Sequence, residues 1–557
     1  MIRRLLPLLL LSILACTPPP PLQPATVPAP PSLKATAVAR RVVLLSFDGL
    51  GADALAQQQN LPAFERIARE GAAARVINVD PTLTGPTHVS ILTGADPQRT
   101  GVVSNRFHLE GTPREQIAMG VRTDSDVETL VEAARRQGKR VGVVSFPTID
   151  NATPRRTADF GLGWTYPAAE AKMVKLTSAD FRREWVPPSW TDRPQRRRSY
   201  SPIMRARTEW NVPRVFRIDV DIVAYDTTDD GRTNYDSYLV ESEEREIPID
   251  ERGWFALAHT SANGVYGSWS KILEGTDALD LTIYRGPVSR SNAWPASFRE
   301  MLDTEAGFWP GGPDEDGLVD ATTFIEQMER LAGFYRRAQT LTIGRMQFDL
   351  LLLYQPQVDQ ASHNFLGAPE GDRVIRRAFE LADGGLNAVA EALETDDALV
   401  VTSDHGLLVT DREIRLNRLL ADRGFAPRWR AYMSGAFAHL YRFEGPDDSN
   451  AVIELLNSTG GFERIEKKSP ASHRNSGDII AWGYPNVHMS TSEEAPAVGP
   501  RPPGGQHGAL NSNRGLHAVL FAYGAGVMPG PLGEIRQTQI ARFVSELLGI
   551  APPQAAE

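Results

Sequence analysis

The run "RVVLLSF", Arg41 to Phe47, decides the fold. A strand that is apolar at almost every position has no face to give to water, so it belongs in a sheet covered on both sides. The same reading applies to "RVGVVSF" (Arg140–Phe146), "FDLLLLY" (Phe348–Tyr354), "ALVVTS" (Ala398–Ser403) and "HAVLFAYG" (His517–Gly524). Helical patterns lie between these runs. In "LPAFERIAREG", Pro62 opens a helix and Gly71 closes it. In "SDVETLVEAARRQG", Val127, Leu130, Val131 and Ala134 share one helical face and Gly138 ends it. Strands alternating with helices predict an α/β fold with a mainly parallel sheet and helices on both faces.

Residues 165–320 break that rhythm. "RVFRIDVDIVAYDTT", "DSYLVESEE", "ERGWFALAH" and "ALDLTIYRG" read as short alternating strands, which predicts an inserted β-rich domain. Its Trp254, Trp269, Tyr284 and Trp294 are read as that domain's core, with stacking on a base or sugar as the alternative. A smaller irregular insert is expected over 430–503. The core is then split into residues 39–164 and 321–557. A chain of 557 residues is long enough for more than one core.

Hydrophobic residues make up 41% of the chain and charged residues 23%, ordinary values for a globular protein. The net charge of -10 gives no nucleic-acid-binding signal, and the basic run "RPQRRRSY" (Arg193–Tyr200) reads as a solvated loop. The N-terminus, "MIRRLLPLLLLSILAC", has two arginines, a short apolar run and small Ala15 before Cys16, the chain's one cysteine. The run is too short to span a bilayer and reads as a secretory signal. Ile13–Cys16 resembles a bacterial lipobox. Residues 1–16 are therefore expected to be a lipoprotein-type signal peptide, with Cys16 lipidated. Residues 17–38 are a proline-rich linker, a stiff tether. The expected location is the bacterial cell envelope, on a membrane held through a lipid anchor.

The strand ends carry the chemistry. Ligands of open α/β sheets bind beyond the carboxyl ends of the strands. Asp48 follows "VVLLSF", Asp404 and His405 follow "ALVVTS", and Asp359 and His363 follow "FDLLLLY" in "DQASH". His507 sits in "GGQHG" before the last of these strands. One such residue alone is most often a turn or a helix cap. Three aspartates and three histidines at one sheet edge form an oxygen/nitrogen set suited to zinc or similar divalent ions, and six ligands are too many for one tetrahedral site.

With "SFDG", "PTLTGPTHVSILTGADPQRTGVVSN", "GKRVGVVSFPTID", "DQASH", "SDHG" and "GQHG" all present, the chain resembles the alkaline phosphatase superfamily, most closely its nucleotide pyrophosphatase/phosphodiesterase-like branch. The resemblance covers about residues 41–150 and 347–549. It implies two zinc ions: one on Asp48, Asp404, His405 and the Thr84 hydroxyl, the other on Asp359, His363 and His507. It makes Thr84 the nucleophile, forming a phospho-threonine, and implies a small phosphorylated substrate. Coordination to a cation favours the alkoxide of an otherwise poor nucleophile. Pro86 and "VSILTG" predict a helix beginning just after Thr84, whose N-terminal amides suit an anion.

One position departs from the pattern. The resembling diesterases commonly carry asparagine three residues after the nucleophile, where it donates to a phosphoryl oxygen; here Thr87 stands there and is expected to bind substrate. Asn105 matches a family position whose role the sequence does not reveal. His88 and His517 read as structural, and His488 carries no legible signal. The expected activity is hydrolysis of phosphodiester or pyrophosphate bonds. A phosphomonoesterase or phosphonate hydrolase is the alternative on the same core. A sulfatase would need a C/S-x-P-x-R motif, which is absent. A non-catalytic surface-binding lipoprotein on a degenerate scaffold would have lost ligands, and all six remain.

Overall fold

The computed structural model describes residues 33–164, 167–183, 199–243, 245–261, 264–275, 279–314 and 316–556. Cys16, the signal segment, most of the linker and most of the arginine-rich run lie outside them.

The central sheet is built from the apolar runs: β1 (Val42–Phe47), β2 (Ala72–Ile77), β3 (Val141–Val144), β4 (Phe160–Leu162), β5 (Leu350–Gln355) and β6 (Ala398–Ser403). Three more labelled strands precede its C-terminal pair in the chain: β7 (Leu408–Arg415), β8 (Val487–Ser490) and β9 (Val498–Gln506). That pair is β10 (Ala518–Gly524) and β11 (Gly530–Arg536). The sheet order is β4-β3-β5-β1-β6-β10-β2-β11, with the short strand Ala293–Trp294 on the β4 edge. From β4 to β6 every pairing is parallel. β10 runs antiparallel to both β6 and β2, while β2 and β11 are parallel.

Alternation along β1 explains its composition. Val43, Leu45 and Phe47 enter one apolar cluster and Val42 and Leu44 another, on the opposite face. Helices α1 (Pro62–Glu70), α4 (Ala321–Arg345) and α6 (Gly371–Glu391) supply the first cluster; α2 (Thr84–Thr93), α3 (Leu130–Arg136) and α7 (Gln539–Leu548) supply the second. Helix α3 starts at Leu130, leaving Val127 outside it. Thr129 is its cap, accepting from the Glu132 amide while the Glu132 carboxylate accepts from the Thr129 amide. This reciprocal pair satisfies two otherwise orphaned donors and fixes the start.

Strands between residues 172 and 290 form two further five-stranded sheets around an apolar cluster of their own. Trp254 and Tyr284 are fully buried, but neither belongs to that cluster: the Trp254 indole donates to Glu326 on α4, so it packs the insert against the central fold, and Trp269 and Trp294 are half-buried. The region expected to be irregular is ordered. Trp429–Ser434, Phe437–Arg442, Phe462–Lys467 and Ile479–Gly483 form an antiparallel sheet over a third core. Trp429–Ser434, Phe437–Arg442 and Ile479–Gly483 are buried almost throughout, while Phe462–Lys467 is mostly exposed at the edge of this sheet. Next to it, β7 is flanked by β8 and β9. Among the described residues no helix is long and apolar enough to cross a membrane.

Candidate active site

The six expected ligands come together beyond the carboxyl ends of β1, β5 and β6. Asp48 leaves β1, and Asp404 and His405 leave β6. Asp359 and His363 sit one turn apart on α5 (Gln357–Phe365), the helix that follows β5. His507 directly follows β9. Asp48, Asp404 and His405 bring ligand atoms within 4.8 Å of one another, as do Asp359, His405 and His507. His363 joins the second group through Asp359, its Nε2 3.3 Å from Oδ2. His405 thus serves both groups, because its ring stacks on His507 with centroids 3.8 Å apart.

The residues present fit divalent cations. Asp48 Oδ1, Asp359 Oδ1 and Asp404 Oδ2 are buried oxygens that accept no hydrogen bond. Leaving such atoms unpaired is costly, so they call for a cation. Backbone carbonyls orient the histidines: His363 Nδ1 donates to Gly505 O at 2.9 Å and His507 Nδ1 to Thr82 O at 3.0 Å. A carbonyl only accepts, so each Nδ1 keeps its proton and each Nε2 offers a lone pair to the site. The carboxylates are held the same way. Asp404 Oδ1 accepts from the Gly49 and His405 amides, and Tyr354 donates its phenol to Asp48 Oδ2.

Titration follows from crowding in a dry place. Burial, with Asp359 and Asp404 alongside, holds the Asp48 carboxyl well above its usual range. Burial and the neighbouring Asp359 raise Asp404 to about 7. Burial works the same way on Asp359, but His363, His507 and His405 outweigh it and hold that group low. Burial pushes His507 down to about 4 despite the Asp359 charge, so it is a neutral imidazole at physiological pH. Burial thus favours the protonated form of Asp48 and, below about pH 7, of Asp404, unless a cation replaces their protons.

Thr84 is the first residue of α2, and its Oγ1 lies 3.3 Å from His405 Nε2. The helix offers an anion less than its position promised. The Gly85 amide already donates to Asn105 Oδ1 at 2.7 Å and Pro86 has none, which leaves the Thr84 amide. Asn105 is the residue the sequence left unread. With Oδ1 engaged, its amide nitrogen remains to donate, and it lines the same cavity as Thr84.

Thr87 is not where a substrate-binding residue must be. It is fully buried, and its hydroxyl donates back to Leu83 O at 2.7 Å. The side chain is shorter than asparagine, so the nearest carbonyl of its own helix captures it. Thr82 ties two loops together: its hydroxyl donates to Ala509 O and accepts from the Gly508 amide. His88 is buried with both nitrogens used, Nδ1 donating to Thr84 O and Nε2 accepting from Ser46.

The cavity above the ligands encloses about 600 Å³ and is walled by Asn105, Trp164, His488 and Arg501 among others. Trp164, Tyr354, Pro356 and Gln360 also border a second, more apolar cavity of about 300 Å³, lined by Tyr284 and Trp309.

The chain is similar to murine and human ectonucleotide pyrophosphatase/phosphodiesterase 5. The TM-score is 0.52 in both cases, with 14% and 15% identity, over 92% of this chain and 96% of each of those chains. An inactive threonine-to-alanine variant of the murine protein, in complex with AMP, matches equally well. Over 125 residues the chain is 32% identical to the Xenopus laevis bis(5'-adenosyl)-triphosphatase enpp4. That match takes in 20% of this chain and 26% of the frog protein, so the chain spans about a quarter of the length of that curated relative. The model of the type I phosphodiesterase / nucleotide pyrophosphatase family matches residues 42–510, a span that holds all six ligands, Thr84 and Asn105, and the chain therefore belongs to that family of hydrolases.

Proposed function

We propose that the protein hydrolyses phosphodiester or pyrophosphate bonds of small phosphorylated substrates, nucleotides among them, with Thr84 as nucleophile at a two-cation site. The observation that carries this reading is Thr84 itself. Its hydroxyl stands at a helix N-terminus, beside His405, in the same cavity as Asp48 and Asp359, two carboxylates each with an unpaired buried oxygen. Asp48, Asp404, His405 and Thr84 would hold one divalent ion, zinc by donor type, and Asp359, His363 and His507 a second. Bound there, the ions supply charge neutralisation and make the threonine hydroxyl more acidic.

The chain's own groups do the rest. Thr84 Oγ1 forms a bond to phosphorus as the bond to the leaving oxygen breaks, and its proton passes to water. Asn105 and the Thr84 amide donate to the non-bridging oxygens, where charge builds up. Water then attacks phosphorus, the Oγ1–P bond breaks, and the hydroxyl is restored. The neighbouring 300 Å³ cavity, with Trp164 and Trp309 in its wall, suits the planar ring of a nucleoside. The AMP held by the murine neighbour and the adenosyl substrate in the frog relative's name support a nucleotide.

Thr84→Ala is the test. Turnover of a nitrophenyl phosphodiester by metal-loaded protein is expected to fall at least about a thousandfold with the melting temperature preserved; undiminished turnover removes Thr84 from the mechanism. Rates on nitrophenyl monoesters and phosphonoacetate, measured beside the diester, separate the alternative chemistries. We further propose that the protein is exported and membrane-held through lipid on Cys16. Fractionation of a Cys16→Ser variant checks this, and retention in the membrane fraction would refute it.

A further inference from the structure

The central sheet opens at its carboxyl edge between β6 and β10. Their last regular pair is Thr402 with Leu520, and two residues on Asp404 stands opposite Ala518. The side chain of Asn78, which directly follows β2, stands in the rung between them. Its Oδ1 accepts from the Ala518 amide at 3.2 Å and its Nδ2 donates to Asp404 O. A carboxamide carries the donor and the acceptor of a peptide group, so it takes the place of a strand in that rung.

Gln537, which directly follows β11, meets the same oxygen. Its Nε2 donates to Asp404 O at 2.9 Å and its Oε1 accepts from the Val79 amide at 3.2 Å. Asn78, Gln537 and Asp404 are all buried. One donor is enough to satisfy a buried carbonyl; here both lone pairs are engaged, each by a side chain. On the nitrogen side of the same peptide, the His405 amide donates to Asp404 Oδ1 at 2.8 Å. Three hydrogen bonds hold one peptide plane.

Two candidate ligands hang from that plane, Asp404 on one side and His405 on the other. His405 Nε2 lies 3.3 Å from Thr84 Oγ1. Asn78 and Val79 also begin the segment that runs through Asp80 to Thr84, and both are tied down: Asn78 O accepts from Asn511 Nδ2 at 2.6 Å, and the Val79 amide donates to Gln537. The two carboxamides thus join the ligand pair to the segment of the nucleophile. Neither residue lines the catalytic cavity.

We propose that Asn78 and Gln537 are positioning residues of the catalytic centre: by clamping the Asp404 carbonyl they fix the Asp404–His405 peptide against the segment that carries Thr84. Outer partners of a metal ligand usually act on its ring nitrogen or its carboxylate. Here the handle is the backbone between two adjacent ligands, so one clamp orients both. The assignment rests on the two-cation reading proposed above, and it concerns orientation alone, since neither amide gives up or takes a proton.

Gln537→Met keeps about the same volume and removes the donor. Cobalt(II) loaded in place of zinc gives visible absorption bands that report the geometry of its ligands. In Gln537→Met those bands are expected to shift or lose intensity. Competition with a chromophoric chelator is expected to show one ion bound about tenfold to a hundredfold more weakly. On a nitrophenyl phosphodiester, kcat is expected to fall by a similar factor while KM stays within about threefold, because the groups that touch substrate are unchanged. Asn78→Ala, at a different strand end, is expected to move the same three readouts and decides the matter if Gln537→Met does not fold. A folded variant with wild-type cobalt bands and wild-type ion affinity overturns the positioning role, even if it melts at a lower temperature. If the wild type binds neither zinc nor cobalt, the two-cation reading falls and this assignment with it. If it binds them without cleaving the diester, only the hydrolase reading falls, and the bands and affinities decide the clamp.

Discussion

The position of Thr87 in the chain suggests a substrate contact that its burial rules out, whereas Asn105, which the sequence left without a role, lines the cavity. The Thr87 hydroxyl is consumed by Leu83 O inside its own helix, whereas Asn105, twenty-one residues beyond the nucleophile, arrives with a donor to spare. Two substitutions separate them. Asn105→Asp keeps the acceptor for the Gly85 amide but loses the donating nitrogen, and kcat/KM on a nitrophenyl diester is expected to fall about a hundredfold. Thr87→Val is expected to leave that constant within about twofold while costing about 1 kcal/mol of stability in denaturant titration. The grouping of Asp48, Asp404 and His405 was legible because they follow unmistakable apolar strands. Asn105, Tyr354 and Arg501 were not, because no local pattern tells a residue what distant segment will face it. Tyr354 closes a strand that was recognised, yet nothing in "LLLLY" announces that its phenol will hold Asp48.

At the scale of elements, β9 is the least readable part of the site and one of the most consequential. "VGPRPPGGQ" looks like a loop, since prolines remove ladder donors. It is a strand because it is an edge: among the described residues only β7 pairs with it, and the other side needs no donors. Its glycines are there for α5. A β-carbon on Gly505 would meet Ser362 O at 2.5 Å, so the helix that carries Asp359 and His363 rests directly on the strand's backbone. Gly505→Ala is therefore expected to displace α5 at a cost of about 1–3 kcal/mol. Bound metal, measured by atomic emission, should drop from two ions towards one per chain. The antiparallel direction of β10 was hidden for a different reason, since an apolar run records burial but not direction.

For the whole molecule, the site is a concentration of buried charge whose cost depends on pH. The folded Asp404 carboxyl titrates near 7, above its unfolded value. Proton uptake by this group therefore favours the native metal-free state at acid pH, and that contribution is lost as the pH rises through about 7. Cations displace those protons, so they bind more tightly as the pH rises over the same interval. The difference in melting temperature between metal-loaded and chelated protein is thus expected to widen from pH 5 to pH 8. A difference that is constant across that range would show that Asp404 is not a ligand.

The position of β1 has a consequence in time. It is the first strand of the sheet to be synthesised and it lies between β5 and β6, whose pairing partners begin at Leu350 and Ala398. About three hundred residues must leave the ribosome before its edges can be covered. Until then an apolar segment with unpaired backbone is exposed, and rapid local folding cannot hide it. His507, later still, completes the ligand set. The same wiring that places these groups beyond the centre of the sheet therefore leaves the nascent chain without its site, and dependent on protection from aggregation, until Ala398 and then His507 have emerged.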